Sequence, residues 1–76
     1  MADANITWIS GPVLRARTQA AFRINEAALV GEQRLLGEVI RINGQEAVIQ
    51  VYENTTGLRP GDPISGTGSA LSVALG

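Results

Sequence analysis

Residues 41–52 read RINGQEAVIQVY, and this stretch decides the fold. The Asn-Gly pair at 43–44 is the favoured centre of a type I′ hairpin turn, because both residue types tolerate positive φ. After the turn, apolar side chains recur at every second position from Ala47 to Val51, as on one face of a β-strand. The stretch therefore predicts the turn and second strand of a β-hairpin.

The segment before this turn, residues 33–42, fits two structures. Leu35, Leu36, Val39 and Ile40 fall at helical spacing, so periodicity alone allows a helix. Gly37 in the middle disfavours a helix by roughly 1 kcal/mol relative to Ala. Because a hairpin needs a strand on each side of its turn, we predict a strand over 33–42.

Gly and Pro punctuate the rest of the chain at short intervals, which favours several short strands over long helices. We predict a tight turn at 66–68 and about six strands in all. Closing these strands on themselves would remove exposed sheet edges. The expected fold is all-β, a small closed six-stranded antiparallel β-barrel over residues 6–76, after a disordered tail at 1–5. The remaining predicted strands cover residues 6–10, 13–17, 26–30, 47–52 and 71–75.

Several kinds of chemistry lack the residues that they require. The chain of 76 residues has no His and no Cys, and all six of its cations are Arg. A P-loop needs a Lys, and the usual zinc sites and Ser, Cys or Lys nucleophile systems need residues that are missing here. We therefore predict no catalytic, cofactor-binding or metal-binding residues in this chain.

Carboxylates are the remaining side chains that could act as general acid and base. An enzyme that uses them is a minor hypothesis. They stand singly beside turns and along strands, so solvated charges or Arg partners are the expected state. For Glu38, which shares a predicted strand face with apolar neighbours, we expect an Arg partner (Arg15, Arg17 or Arg41) or a contact between subunits. The carboxylates considered are Glu26, Glu32, Glu38, Glu46, Glu53 and Asp62.

A stand-alone barrel of the oligonucleotide-binding type is the alternative function. Such a barrel needs a basic groove with stacking aromatic side chains. This chain has a net charge of −1 and one each of Trp, Tyr and Phe. We expect Trp8 to pack in the core or between strands, and Arg15 with Arg17 gives only a small positive spot. Nucleic acid is thus not an expected partner.

Five short motifs follow one another along the chain. They are SGPV at 10–13, EAALVGE at 26–32, LLGEVI at 35–40, AVIQVYENTTGL at 47–58, and GDP at 61–63 followed by GTG at 66–68 and LSV at 71–73. In this order they resemble the start of the head subunits of rotary ATPases. The Gly-Thr-Gly and Leu-Ser-Val ending is more similar to the catalytic A subunit of the V/A type than to the B subunit.

This resemblance implies the N-terminal β-barrel of a much longer subunit, present here as an isolated domain or fragment. The implied role is to join neighbouring A and B subunits in a collar at the membrane-distal end of the head. The parent complex would couple ATP synthesis or hydrolysis to proton or sodium transport. ATP and Mg would bind a domain outside this chain, and the chain alone would be no enzyme and would associate with itself weakly or not at all.

The expected location follows from the N-terminus and from the lengths of the apolar runs. The N-terminus lacks the basic and apolar regions of a signal peptide, and no apolar run approaches the roughly 20 residues of a membrane span. We expect a cytoplasmic protein that is peripheral to the membrane through its parent complex, with no direct membrane contact of its own.

Overall fold

The computed structural model describes residues 3–19 and 21–70, and these form a closed antiparallel β-barrel. The strand order around the barrel is β1-β2-β5-β4-β3-β6, and β6 pairs with β1 to close it. The predicted fold class is therefore confirmed. The strands are β1 (Ala4–Ser10), β2 (Val13–Thr18), β3 (Glu26–Val30), β4 (Leu35–Asn43), β5 (Glu46–Val51) and β6 (Pro63–Ala70).

The core is built from the inward-facing positions of all six strands. In β5, Ala47, Ile49 and Val51 are buried, as their alternation predicted. Leu14 of β2 and Val39 of β4 lie beside Ile49 in the register and are also fully buried. Small side chains such as Ala16 and Ala47 are fully buried in the narrow interior beside the larger Leu14 and Ile49.

The hairpin of β4 and β5 is present, but its turn differs from the predicted type I′. The pairing of Asn43 with Glu46 leaves Gly44 and Gln45 as the two central residues. Gly44 has a φ of +62°, whereas neither Asn43 nor Gln45 has a positive φ. This is the φ pattern of a type II′ turn, which places Gly at the first central position. The predicted strand is confirmed over residues 35–42 as part of β4, whereas residues 33 and 34 lie in the turn before it. The helical alternative is wrong.

Two predictions at the ends of the chain need correction. The predicted disordered tail at 1–5 is too long, because Ala4 is buried and begins β1. The backbone N–H of Asp3 also donates to the carbonyl of Ile64 at 3.1 Å. Residues 1 and 2, and the predicted last strand over 71–75, lie outside the described residues.

The glycine-rich stretch at 66–68 lies inside β6 and is not the predicted tight turn. The register shifts here, so that three residues of β6 stand opposite the single residue Ala27 of β3. A bulge of this kind turns backbone N–H groups away from the neighbouring strand. Carboxylates accept two of them: Asp3 Oδ2 from Gly66 N, and Glu26 Oε2 from Gly68 N, each at 2.9 Å.

Glu26, which is only 6 % exposed, connects this bulge to the loop before β3. Its Oε1 accepts a hydrogen bond from the backbone N–H of Arg23 at 2.9 Å, and its Oε2 accepts one from the backbone N–H of Gly68. A Cβ at position 66 would approach Glu26 Oε2 to 2.5 Å and the ring of Phe22 to 2.7 Å. Residue 66 is therefore Gly because the buried carboxylate and the ring occupy the space of a side chain.

Candidate functional site

The carboxylates singled out from the sequence do not converge. Glu26 is buried and bonded to backbone, so the expectation of a solvated charge or an Arg partner is wrong for this residue. Glu53 Oε2 accepts a hydrogen bond from Leu36 N of β4 at 2.7 Å and so ties the segment after β5 to that strand. Asp62 Oδ2 accepts one from Arg59 N at 2.9 Å within the turn before β6. Glu32 and Glu46 are exposed. Within residues 3–19 and 21–70, no group of three or more side chains is arranged to hold a metal.

Glu38 has a partner that the sequence did not indicate. Its side chain lies on the outer surface of β4, and Oε1 accepts a hydrogen bond from the hydroxyl of Tyr52. This bond raises the pKa of Tyr52 above its ordinary value, and desolvation and the charge of Glu38 add to the effect. The expected Arg partner of Glu38 is replaced by a phenol that follows β5 directly.

The three aromatic side chains lie in different environments. Trp8 is on the outer surface of β1 and Tyr52 is beside Glu38. Phe22 packs against the core near Gly66. A groove that binds single-stranded nucleic acid needs several aromatic rings next to one another on its surface. The ring of Phe22 packs against the core, so it does not join Trp8 and Tyr52 in such a groove.

Trp8 is 43 % exposed, so its predicted place in the core is wrong and its predicted packing between strands is confirmed. Arg15 stands opposite it on β2, with its guanidinium carbon 4.7 Å from the centroid of the indole. This is a cation–π contact on the outer surface of the sheet. Such a contact leaves a large apolar ring partly in solvent with a positive charge above it.

Trp8 and Arg15 begin a continuous row that crosses four strands. In the register, Arg15 stands opposite Val48 of β5, and Val48 stands opposite Arg41 of β4. Ile40, beside Arg41, is 40 % exposed. With strands about 4.8 Å apart, the row extends for about 15 Å across the outside of the barrel. We call Trp8, Arg15, Val48, Ile40 and Arg41 the outer row.

Each end of the outer row is a β-bulge. The register of β1 shifts between Ile6 and Trp8, and that of β4 shifts between Val39 and Arg41. As a result Thr7 and Trp8 are both exposed, as are Ile40 and Arg41, where regular strands would turn one of each pair inward. The bulges therefore direct extra side chains onto the outer surface.

One depression on the surface is open and is lined by polar side chains. It has a volume of about 370 Å³, lies below the outer row and is lined by Thr7, Arg17, Asn43, Gln45 and Glu46. It holds one Arg beside one Glu, which makes it a poor site for a phosphate. Within the described residues there is no helix that is long and apolar enough to cross a membrane.

A sequence model of the ATP synthase alpha/beta family, beta-barrel domain, matches residues 6–68. The chain belongs to this family. It is 55% identical over 74 residues to the A subunit of the A-type ATP synthase of Pyrobaculum aerophilum, covering 97% of this chain and 12% of that protein. It is 49% identical over 71 residues to the V-type ATP synthase alpha chain of Halothermothrix orenii, covering 93% of this chain and 12% of that protein. The resemblance seen in the sequence motifs is thereby confirmed.

A solved structure agrees with the family assignment. The barrel superposes on part of the assembled ATPase EscN from the type III secretion system of enteropathogenic E. coli with a TM-score of 0.78. The match has 28% sequence identity and covers 88% of this chain and 16% of that one. The chain thus spans about an eighth of the synthase subunits that it matches, and corresponds to their barrel domain alone.

Proposed function

We propose that this barrel is the N-terminal assembly domain of the catalytic A subunit of a V/A-type ATPase or ATP synthase. In this role it joins neighbouring A and B subunits in a collar at the membrane-distal end of the head. The observation that carries the proposal is the match of residues 6–68 to the family's barrel domain, together with relatives that are A subunits. The parent complex would couple ATP turnover to proton or sodium transport.

The physical basis of the role is stiffness combined with closed edges. In the described residues each of the six strands pairs with a neighbour on both sides, so the barrel offers less free strand edge for polymerisation through backbone hydrogen bonds than an open sheet would. Its contacts with neighbours must instead use side chains on the outer surface. Such contacts can keep a ring of subunits together while the parts that bind nucleotide open and close.

The direct test deletes the barrel from the complete A subunit. Assembly of the shortened protein with the B subunit is then measured by native mass spectrometry. We expect the alternating hexamer to be lost or to dissociate at much higher concentration, because the ring of barrels would be interrupted. A hexamer of unchanged stability without the barrel would overturn the proposal.

A second test uses the 76-residue chain alone. The proposal places ATP and Mg in another domain of the parent, so isothermal titration calorimetry should give no stoichiometric heat with Mg-ATP. Light scattering should show a monomer or a weakly associating species, because its partners include the B-subunit barrel. Micromolar ATP binding at one site per chain would contradict an assembly role.

A further inference from the structure

We propose that the outer row is the surface through which this barrel contacts the barrel of the neighbouring head subunit. We further propose that the neighbour presents an apolar centre rimmed with carboxylates. This inference rests on the proposed function and deepens it by naming the face of the barrel and the chemistry of its partner.

The first argument is the kind of side chain that the row exposes. Trp8 and Ile40 are 43 % and 40 % exposed and lie at the two ends of one row, whereas the exposed Ile24 and Tyr52 lie apart from it. Trp and Arg are among the residue types most enriched in the side chains that dominate binding energy at protein interfaces. The row carries both, around Val48 at its centre.

The second argument is the pair of bulges. Without them, regular alternation would turn one of each pair, Thr7 or Trp8 and Ile40 or Arg41, toward the core. The register shifts keep all four outside, at the two ends of the same row. Bulges disrupt the ladder locally, and here both disruptions serve to enlarge one outer surface.

The third argument is charge. The outer row contains two arginines and no acidic side chain, although the whole chain has a net charge of −1. A neighbouring barrel of the same family with a similar net negative charge has carboxylates that can pair with the arginines of this surface. Opposite charges at the rim would orient the two barrels and speed their encounter.

The far side of the barrel differs in the side chains that its strand exposes. Around the barrel, β6 lies away from the ladder of β2 and β5. The bulge of β6 exposes Thr67 and Ser69, which are small and polar. Ile24 is 56 % exposed and lines the same depression as Ser69, but it belongs to the loop before β3. Ser69 therefore stands on a polar stretch of strand outside the outer row and provides the control position.

The experiment places a photo-crosslinking phenylalanine derivative at Ile40 of the complete A subunit, and in a second variant at Ser69. Each variant is combined with the B subunit, irradiated, and analysed by peptide mass spectrometry. We expect position 40 to crosslink to the neighbouring barrel. Position 69 should give at least about tenfold less of that product.

Two charge-reversal variants sharpen the result. Arg15→Glu should weaken association of the A and B subunits by about tenfold or more, because it places a negative charge against the neighbour's carboxylates. Arg59→Glu makes the same charge change on an exposed turn outside the row, and should change association by less than about threefold.

The outcomes separate the two proposals. Suppose that the hexamer forms, but position 40 crosslinks only within its own chain, gives no crosslink, or gives as much crosslink to the neighbouring barrel as position 69 does. Then the outer row is not the contact, and the assembly role stands. If the wild-type A subunit forms no hexamer with the B subunit, the assembly role fails and this inference fails with it.

Discussion

Two regions of this barrel are held together in different ways. In the β2-β5-β4 region, long backbone ladders align residues from Val13 to Arg17 with β5, and β5 with β4, where one bulge between Val39 and Arg41 interrupts the pairing. At the seam between β1 and β6, only Ala4 with Ile64 and Asn5 with Pro63 are paired. Side chains supplement the seam: Asp3 accepts from Gly66, and Asn5 Nδ2 donates to the carbonyl of Gly61 at 3.2 Å.

The comparison teaches that alternating apolar residues specify the ladders, whereas a short set of backbone hydrogen bonds and a few polar side chains close the barrel. Glu26 and Asp3 hold β6 where its bulge turns N–H groups away from β3. Hydrogen bonds to a charged acceptor contribute more than neutral ones. A short seam can therefore be as firm as a long ladder if its carboxylates stay in place.

The largest expected effect is in the ladder region, where Ile49 is fully buried at the centre of β5. Ile49→Ala should lower the free energy of unfolding by about 3–4 kcal/mol through lost burial and a residual cavity. Denaturant unfolding followed by Trp8 fluorescence measures it. Val48→Ala, on the outer side of the same strand, is the matched control and should cost less than about 1.5 kcal/mol.

The next largest effect is where Glu26 of β3 holds the bulge of β6. Glu26→Ala removes the acceptor of two backbone N–H groups, from Arg23 and Gly68. We expect a loss of about 2–3 kcal/mol in unfolding free energy, with faster amide exchange at Gly68. Glu46→Ala removes an exposed carboxylate and should change stability by less than about 0.5 kcal/mol. Equal effects of the two variants would show that the buried carboxylate does not hold the bulge of β6.

A smaller effect concerns the pH dependence of the Tyr52 pair. Glu38 raises the pKa of Tyr52, so the bond's contribution to stability is complete below the unfolded-state pKa of about 10 and is lost as the pH rises through the folded-state pKa. Tyr52 is the sole tyrosine, so tyrosinate absorbance reports it alone. Glu38→Gln should move the titration toward a pH of about 10, and an unchanged titration would show that the bond is absent in solution.

The smallest effect is at the outer row. Arg15→Ala should lower stability by about 0.5–1 kcal/mol, since a cation–π contact at an exposed site contributes little. The fluorescence emission maximum of Trp8 should shift, because the Arg15 guanidinium no longer lies over the indole ring. Arg59→Ala is the control and should leave the emission spectrum unchanged. A loss of several kcal/mol would mean that the outer row is needed for folding rather than for contact with a partner.

The sequence predicted the ladders well because their signal is local. Alternation from Ala47 to Val51 and the Asn-Gly pair indicated β5 and its hairpin, and residues 26–30 were predicted with the observed bounds of β3. The turn type was wrong because the register placed Gly44 rather than Asn43 at the first central position.

The seam and the outer row could not be predicted in the same way. The partners of Glu26 and Asp3 are distant in sequence and meet only after the barrel closes. The exposure of Trp8 depends on a register shift that no residue pattern near it indicates. A buried Glu beside a Gly-x-Gly segment is a signal only when the fold is already known.

The central claim is that six strands close into a barrel by pairing β1 with β6. Nuclear Overhauser spectroscopy on the 76-residue chain tests it most directly. A closed barrel predicts cross-strand contacts between Ala4 and Ile64, with the amide of Asp3 protected from exchange by its bond to Ile64. Absence of these contacts, with the ladders of β2, β5 and β4 intact, would mean an open sheet and would contradict the account.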